Sequence, residues 1–80
     1  MPKLKILSAG KVVSIFENFG FLVAGQKGSH IKLSRETVLG KQILTVPNHK
    51  EIDKGTLKAI YSQALRFVSE NELQKHFYSE

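Results

Sequence analysis

From Ser8 onward the apolar residues Val12, Ile15, Phe16 and Phe19 recur at i, i+3, i+4 and i+7, the one-sided stripe of an α-helix. Ser8 suits the N-cap, and Gly20 suits the left-handed position that closes such a helix. A helix of about three turns is too short to persist alone, so tertiary packing must hold it. At Phe21 the period changes. Phe21 to Ala24 is a compact apolar run, Gln26-Lys27-Gly28-Ser29 supplies turn chemistry, and His30-Ile31-Lys32-Leu33-Ser34 alternates polar with apolar. These two runs predict a β-hairpin. Arg35 to Gly40 reads as a looser stretch leading to a third strand, Lys41 to Val46, which Pro47 ends. A polar loop from Asn48 to Asp53 then precedes a second helix starting near Lys54 or Thr56, with Leu57, Ile60, Tyr61 and Ala64 on one face. Ser69-Glu70-Asn71-Glu72 has the spacing of a capping box, which predicts a short third helix carrying Leu73 and Phe77.

The connections between the strands are too short for parallel crossovers, so the sheet is expected to be antiparallel. The elements bury apolar surface most simply with the helices on one face of the sheet. The predicted class is α+β: a three-stranded antiparallel sheet in an α-β-β-β-α order with a short extra C-terminal helix. That topology resembles the double-stranded-RNA-binding fold. Residues 1–80 read as a single domain, and a chain of this size buries only about 60% of its unfolded surface. Cysteine is absent, which removes disulfides and Cys-based zinc sites. No apolar run approaches the length of a membrane span, and no apolar region of signal-peptide type follows Lys3 and Lys5. The expectation is a cytoplasmic protein without a membrane partner.

Charge narrows the partner class. Twelve Lys and Arg against seven Asp and Glu give +5. Residues 1–60 carry ten basic and four acidic side chains, and residues 61–80 carry two and three, so the excess lies in the body of the chain. A basic body favours a polyanion such as RNA or DNA, although charge also serves solubility alone.

The strand alternation gives chemistry a location. If Ile31 and Leu33 face the core, then His30, Lys32 and Ser34 face the opposite, open side. His30 then stands beside the Lys27-Gly28-Ser29 turn. Imidazole exchanges protons near neutrality, Gly28 allows close approach of an anionic backbone, and Lys27 and Lys32 can hold its phosphates. The plain alternative is an ordinary polar residue opening a surface strand. His49 is the second candidate, beside Lys50 and close to the start of a helix whose first turns hold Lys54 and Lys58. Backbone N–H groups at a helix start favour anions. Ordering the loop or capping the helix is the alternative role for His49. His76 reads as solvated surface, and Phe16, Phe19, Phe21 and Phe67 as core. The three histidines show neither metal-ligand spacing nor a carboxylate cluster, and there is no phosphate-binding P-loop and no G-x-S-x-G elbow. No metal and no cofactor is expected.

Four segments in order carry a more specific signal: Phe16-Glu17-Asn18-Phe19-Gly20-Phe21, Gln26-Lys27-Gly28-Ser29-His30, Thr45-Val46-Pro47-Asn48-His49, and Lys54-Gly55-Thr56-Leu57 followed by Ile60. From about Ser8 to Ala64 the chain resembles the HicA (YcfA-like) toxin family. The resemblance implies a double-stranded-RNA-binding-like fold, an mRNA-cleaving toxin and a HicB-type antitoxin that masks it. The catalytic histidine of the family falls on His30, and its Val-Pro-x-His segment on Val46, Pro47 and His49. The chain departs from the family pattern in two places: Ala64 is followed directly by Leu65 where the family has Ala-Gly-Leu, and the usual basic residue near Gly25 is missing. The expected activity is a metal-independent endoribonuclease with His30 as catalyst. Lys27, Gly28, Ser29, Lys32, His49, Lys50, Lys54 and Lys58 are the candidate RNA-binding residues. Alternatives are a non-catalytic RNA-binding module of the same fold, or a protein-interaction domain whose basic face meets an acidic antitoxin.

Overall fold

The computed structural model describes residues 2–79. A short strand β1 (Lys3–Leu4) precedes helix α1 (Ala9–Glu17), and strands β2 (Leu22–Lys27), β3 (His30–Thr37) and β4 (Gly40–Pro47) follow. Helices α2 (Lys54–Ala64) and α3 (Glu70–Phe77) and a short strand β5 (Tyr78–Ser79) complete the order. The α-β-β-β-α arrangement with a further C-terminal helix is the α+β class expected from the periodicities.

Local chemistry sets the ends of α1. The Ser8 hydroxyl accepts the Lys11 N–H at 3.1 Å. At the other end the Phe21 N–H reaches the Phe16 carbonyl at 3.1 Å and the Gly20 N–H reaches that of Glu17 at 3.0 Å. This is the Schellman pattern, and Gly20 supplies its left-handed residue with φ 93°. Ser69 precedes α3, but its hydroxyl meets the Glu72 carboxylate at 3.4 Å and caps no backbone N–H. The helix starts where the capping box predicts, without the reciprocal bonds of that motif. Glu70 and Glu72 still place negative charge at its positive end.

The sheet is antiparallel in the order β2-β3-β4. Leu33 pairs with Leu44 and Ile31 with Val46, so one face carries the apolar side chains. Against it pack Val12, Ile15 and Phe16 of α1, Leu57, Ile60, Tyr61 and Ala64 of α2, and Leu73 and Phe77 of α3, all buried. Burying each large side chain contributes about 1.5–3 kcal/mol before conformational entropy is counted. Phe16 lies at the centre, with ring centroids 5.8 Å from Phe21 and 5.9 Å from Phe77.

Arg35 to Thr37, expected as a loose stretch, is regular strand. The Arg35 guanidinium explains it. Nη1 donates to the Phe19 carbonyl at 2.7 Å, Nη2 to the Phe67 carbonyl at 2.9 Å and Nε to Gln42 Oε1 at 2.9 Å, while the group lies over the Phe21 ring. One side chain thereby fastens the chain segments that follow α1 and α2 to the sheet. The β3–β4 turn is Val38-Leu39, and both residues are fully exposed, at 103% and 95% of their free surface. Thr37 Oγ1 closes the turn by accepting the Leu39 N–H and donating to the Gly40 carbonyl.

The pairing of β1 with β5 has no counterpart in the sequence pattern. Lys3 lies opposite Ser79 and Leu4 opposite Tyr78, and the Lys5 N–H extends the ribbon to the Phe77 carbonyl at 2.8 Å. Among the described residues no helix is long and apolar enough to cross a membrane.

Candidate functional site

The β2–β3 hairpin turns on Gly28 and Ser29. Gly28 has φ 59° while, among the described residues, no non-glycine residue has positive φ, the pattern of a two-residue type II′ turn with glycine first. The turn sets His30 as the first residue of β3, opposite Lys27 on one side and Pro47 on the other. Two residues on, about 7 Å along the strand, Lys32 lies opposite Gly25 and Thr45. Directly opposed residues of antiparallel strands share a face. Leu33 and Leu44 are buried, so His30, Lys27, Lys32 and Thr45 share the other, open face, and all four are exposed. The parity argument from sequence placed His30 on this side, and the structure agrees. An irregularity in the β2–β3 register between Val23 and Gly25 keeps Gly25 beside Lys32.

Backbone hydrogen bonds bring His49 to the same region. The Asn48 N–H donates to the Ser29 carbonyl at 2.6 Å, tying the loop after β4 to the hairpin turn. The His49 carbonyl accepts the Ala9 N–H at 3.0 Å, which satisfies a donor in the first turn of α1. His49 therefore has the loop-ordering role through its main chain, while its imidazole is exposed. His30 and His49 border one hollow of about 420 Å³ between β4 and α2, together with Thr45, Pro47, Ile60 and Gln63. A second hollow of about 380 Å³ lies over the sheet beside Lys27 and Lys32. His30 and Thr45 line both hollows.

The N-terminus of α2, expected to favour an external anion, is occupied from within. Asp53 is its N-cap, accepting the Thr56 N–H at 3.0 Å and the Thr56 hydroxyl at 2.8 Å. The Thr56 backbone N–H, then its hydroxyl, hold the Asp53 carboxyl below the usual carboxylate range, and nearby His49 adds in the same direction. Lys54 and Lys58 are also not brought to His30. Leu57 and Tyr61 fix the buried face of α2, and the two lysines project on its far flank, into a separate depression with Lys3, Leu4 and Tyr78. Lys50 is exposed in the loop before α2 and lies outside both hollows at His30. His76, expected to be solvated, is half-buried with its ring edge-on to Phe19 at 5.6 Å. Another depression, beside Pro2, Asn71 and Gln74, contains no imidazole.

Sequence reasoning missed Thr45 and Gln63. Thr45 becomes identifiable only from the pairing that sets it opposite Lys32. Gln63 did leave a signal, because Thr56, Ala59, Ile60 and Gln63 fall at i, i+3, i+4 and i+7 and form a second stripe on α2 beside the core stripe. Among the described residues no group of three or more His, Asp or Glu is arranged to hold a metal ion. The open face presents one imidazole and two ammonium groups, and the loop after β4 adds the exposed imidazole of His49 beside them.

A family model described as the HicA toxin of bacterial toxin–antitoxin matches residues 9–65, well over half of the 80 residues. The match begins at the first residue of α1, ends just after α2 and includes both His30 and His49. Comparison with curated proteins and with solved structures gave no match.

Proposed function

The chain belongs to the HicA toxin family of bacterial toxin–antitoxin systems, and from that membership we propose that it is an endoribonuclease that cleaves mRNA with His30 as its catalytic residue. The observation that carries this reading is an exposed imidazole at the start of β3 with Lys27 opposite it and Lys32 next on its face. RNA supplies its own nucleophile, the 2′-hydroxyl, so strand scission needs two proton transfers and stabilisation of charge on the phosphate. His30 performs one transfer, either taking the proton from the 2′-hydroxyl or giving one to the departing 5′-oxygen. The other proton is exchanged with water, and His49, on the same hollow, holds the RNA. Lys27 and Lys32 stabilise the phosphorane charge as it develops. Gly28 and Ser29 leave the turn small enough for the RNA backbone to approach. The reaction requires no metal and no cofactor, and residues 1–80 act as one domain in the cytoplasm. A HicB-type antitoxin restrains it by covering this face.

The test is incubation of the purified protein with RNA in EDTA, beside His30→Ala. The expected result is cleavage by the wild type, little by the variant, and RNA binding by both, since the lysines remain. Loss of cleavage on chelation, or equal cleavage by His30→Ala, overturns the mechanism. Intact RNA with salt-sensitive binding by the wild type would instead indicate a non-catalytic RNA-binding module.

A further inference from the structure

We propose that the hollow between β4 and α2 is a nucleobase subsite for the RNA strand, with Gln63 as the residue that reads the base. The proposal rests on the ribonuclease reading above and extends it from the phosphate to the sequence of the substrate.

A base beside the reacting phosphate needs a recess of suitable size, apolar walls for its faces, and a hydrogen-bonding group for its edge. The hollow, at about 420 Å³, falls within the range of small-ligand sites. Pro47, Ala59 and Ile60 supply apolar surface. Its polar groups differ in availability. The Thr56 hydroxyl is already given to Asp53. The carboxamide of Gln63 is exposed and makes no hydrogen bond among the described residues. A carboxamide both donates and accepts, which matches the paired donor and acceptor on a base edge.

Continuity with His30 selects RNA as the occupant. His30 and Thr45 line this hollow and the lysine-bordered one, so they stand on the ridge between the two. A phosphodiester held at His30 sends the chain on one side over Lys27 and Lys32. On the other side it sends a nucleoside toward Gln63. Single-stranded RNA, whose bases can be splayed apart, fits this arrangement and a stacked duplex does not. The lysine side also holds Gln26, but its carboxamide already donates to the Gly28 carbonyl at 3.4 Å, so the unengaged carboxamide of Gln63 on the α2 side is the better base reader.

Two measurements test the proposal and separate it from the reading beneath it. In the first, cleavage sites are mapped on a randomised RNA for the wild type and Gln63→Leu. The wild type is expected to prefer one base at a position flanking the cut. The variant should lose that preference and lower kcat/KM at preferred sites by about tenfold to a hundredfold. An unchanged preference profile in Gln63→Leu overturns the subsite while leaving the ribonuclease standing. In the second, the four ribonucleoside 5′-monophosphates are titrated into isotope-labelled His30→Ala protein, followed by NMR. Base-dependent shifts at Ala59 and Gln63, lost when Gln63→Leu is added, are expected. Shifts that are equal for all four bases, or confined to Lys27 and Lys32, overturn the proposal. Base-selective binding without RNA cleavage by the wild type would retain the subsite and remove the ribonuclease. Because the Gln63 side chain hydrogen-bonds to no other group among the described residues, the amide spectrum of Gln63→Leu should otherwise match the parent.

Discussion

Replacing Arg35 with methionine keeps the aliphatic stem and removes the guanidinium that joins the sheet to the segments following α1 and α2. Three hydrogen bonds are lost, to Phe19 O, Phe67 O and Gln42 Oε1, together with the placement of the charge 4.8 Å above the Phe21 ring. Hydrogen bonds from charged groups are each worth about 1.5–3 kcal/mol, and a partly exposed cation–π contact about 0.5–1 kcal/mol. The plain sum overshoots. Arg35 is only half-buried, so water reaches the freed carbonyls and methionine recovers some packing. A net loss of about 2–4 kcal/mol follows, against a total stability of about 4–12 kcal/mol for a domain of this length. The corresponding fall in Tm is about 10–25 °C. Arg35→Lys retains charge without the fork geometry and should lose about half as much. Thermal and urea unfolding followed by circular dichroism measure both variants. A fall of less than about 3 °C in Arg35→Met would refute the role given to this side chain.

Removing the Asp53 cap by Asp53→Ala should lower Tm near neutral pH. Because the folded-state pKa of Asp53 is depressed, its contribution is present above the ordinary carboxylate range and lost as pH falls through the depressed value. The Tm difference between wild type and Asp53→Ala should therefore narrow on acidification, and a constant difference would contradict the capping account. Lys27→Ala and Lys32→Ala should each weaken RNA binding and reduce its salt slope by about one unit. Lys58→Ala, on the far flank of α2, should leave that slope unchanged in a fluorescence-anisotropy titration. Gly28→Ala places a side chain at φ 59°. It should cost about 1–2 kcal/mol in denaturant unfolding and lower cleavage as the turn relaxes, whereas wild-type stability would contradict the turn assignment.

The sequence was informative wherever one side of an element is buried. The stripes of α1 and α2 and the alternation from His30 to Ser34 each follow from one apolar face against one core, so the side on which His30 stands could be deduced before any coordinates. Arg35, Glu36 and Thr37 gave no such signal. Arg35 is held by polar bonds to distant main chain, and Gln42 and Lys41, which lie opposite Arg35 and Glu36, are polar too. The β3–β4 turn was hidden for the opposite reason, since Val38 and Leu39 are apolar yet fully exposed and resemble a strand interior. The β1–β5 ribbon joins residues more than 70 positions apart in pairs of only two, too few for a period. Lys54 and Lys58 were assigned to the RNA surface because they begin a helix near His49. The rotation of α2 on its core turns them toward Lys3, Leu4 and Tyr78 and away from His30, which sequence proximity does not reveal. The two hollows arise from tertiary juxtaposition of β4 with α2 and of the β2–β3 hairpin with β4, so His30, Lys27, Lys32 and His49 were identified from the sequence while Thr45 and Gln63 were not.

Single-turnover cleavage of a labelled RNA by wild type and His30→Ala, at protein concentrations that saturate both, bears most directly on the chemistry assigned to the open face. Equal RNA occupancy with a rate constant lowered by about 10²- to 10⁴-fold is the result expected for loss of a proton-transfer group. A variant that cuts within about threefold of the wild-type rate would show that the imidazole at the start of β3 is not the catalyst.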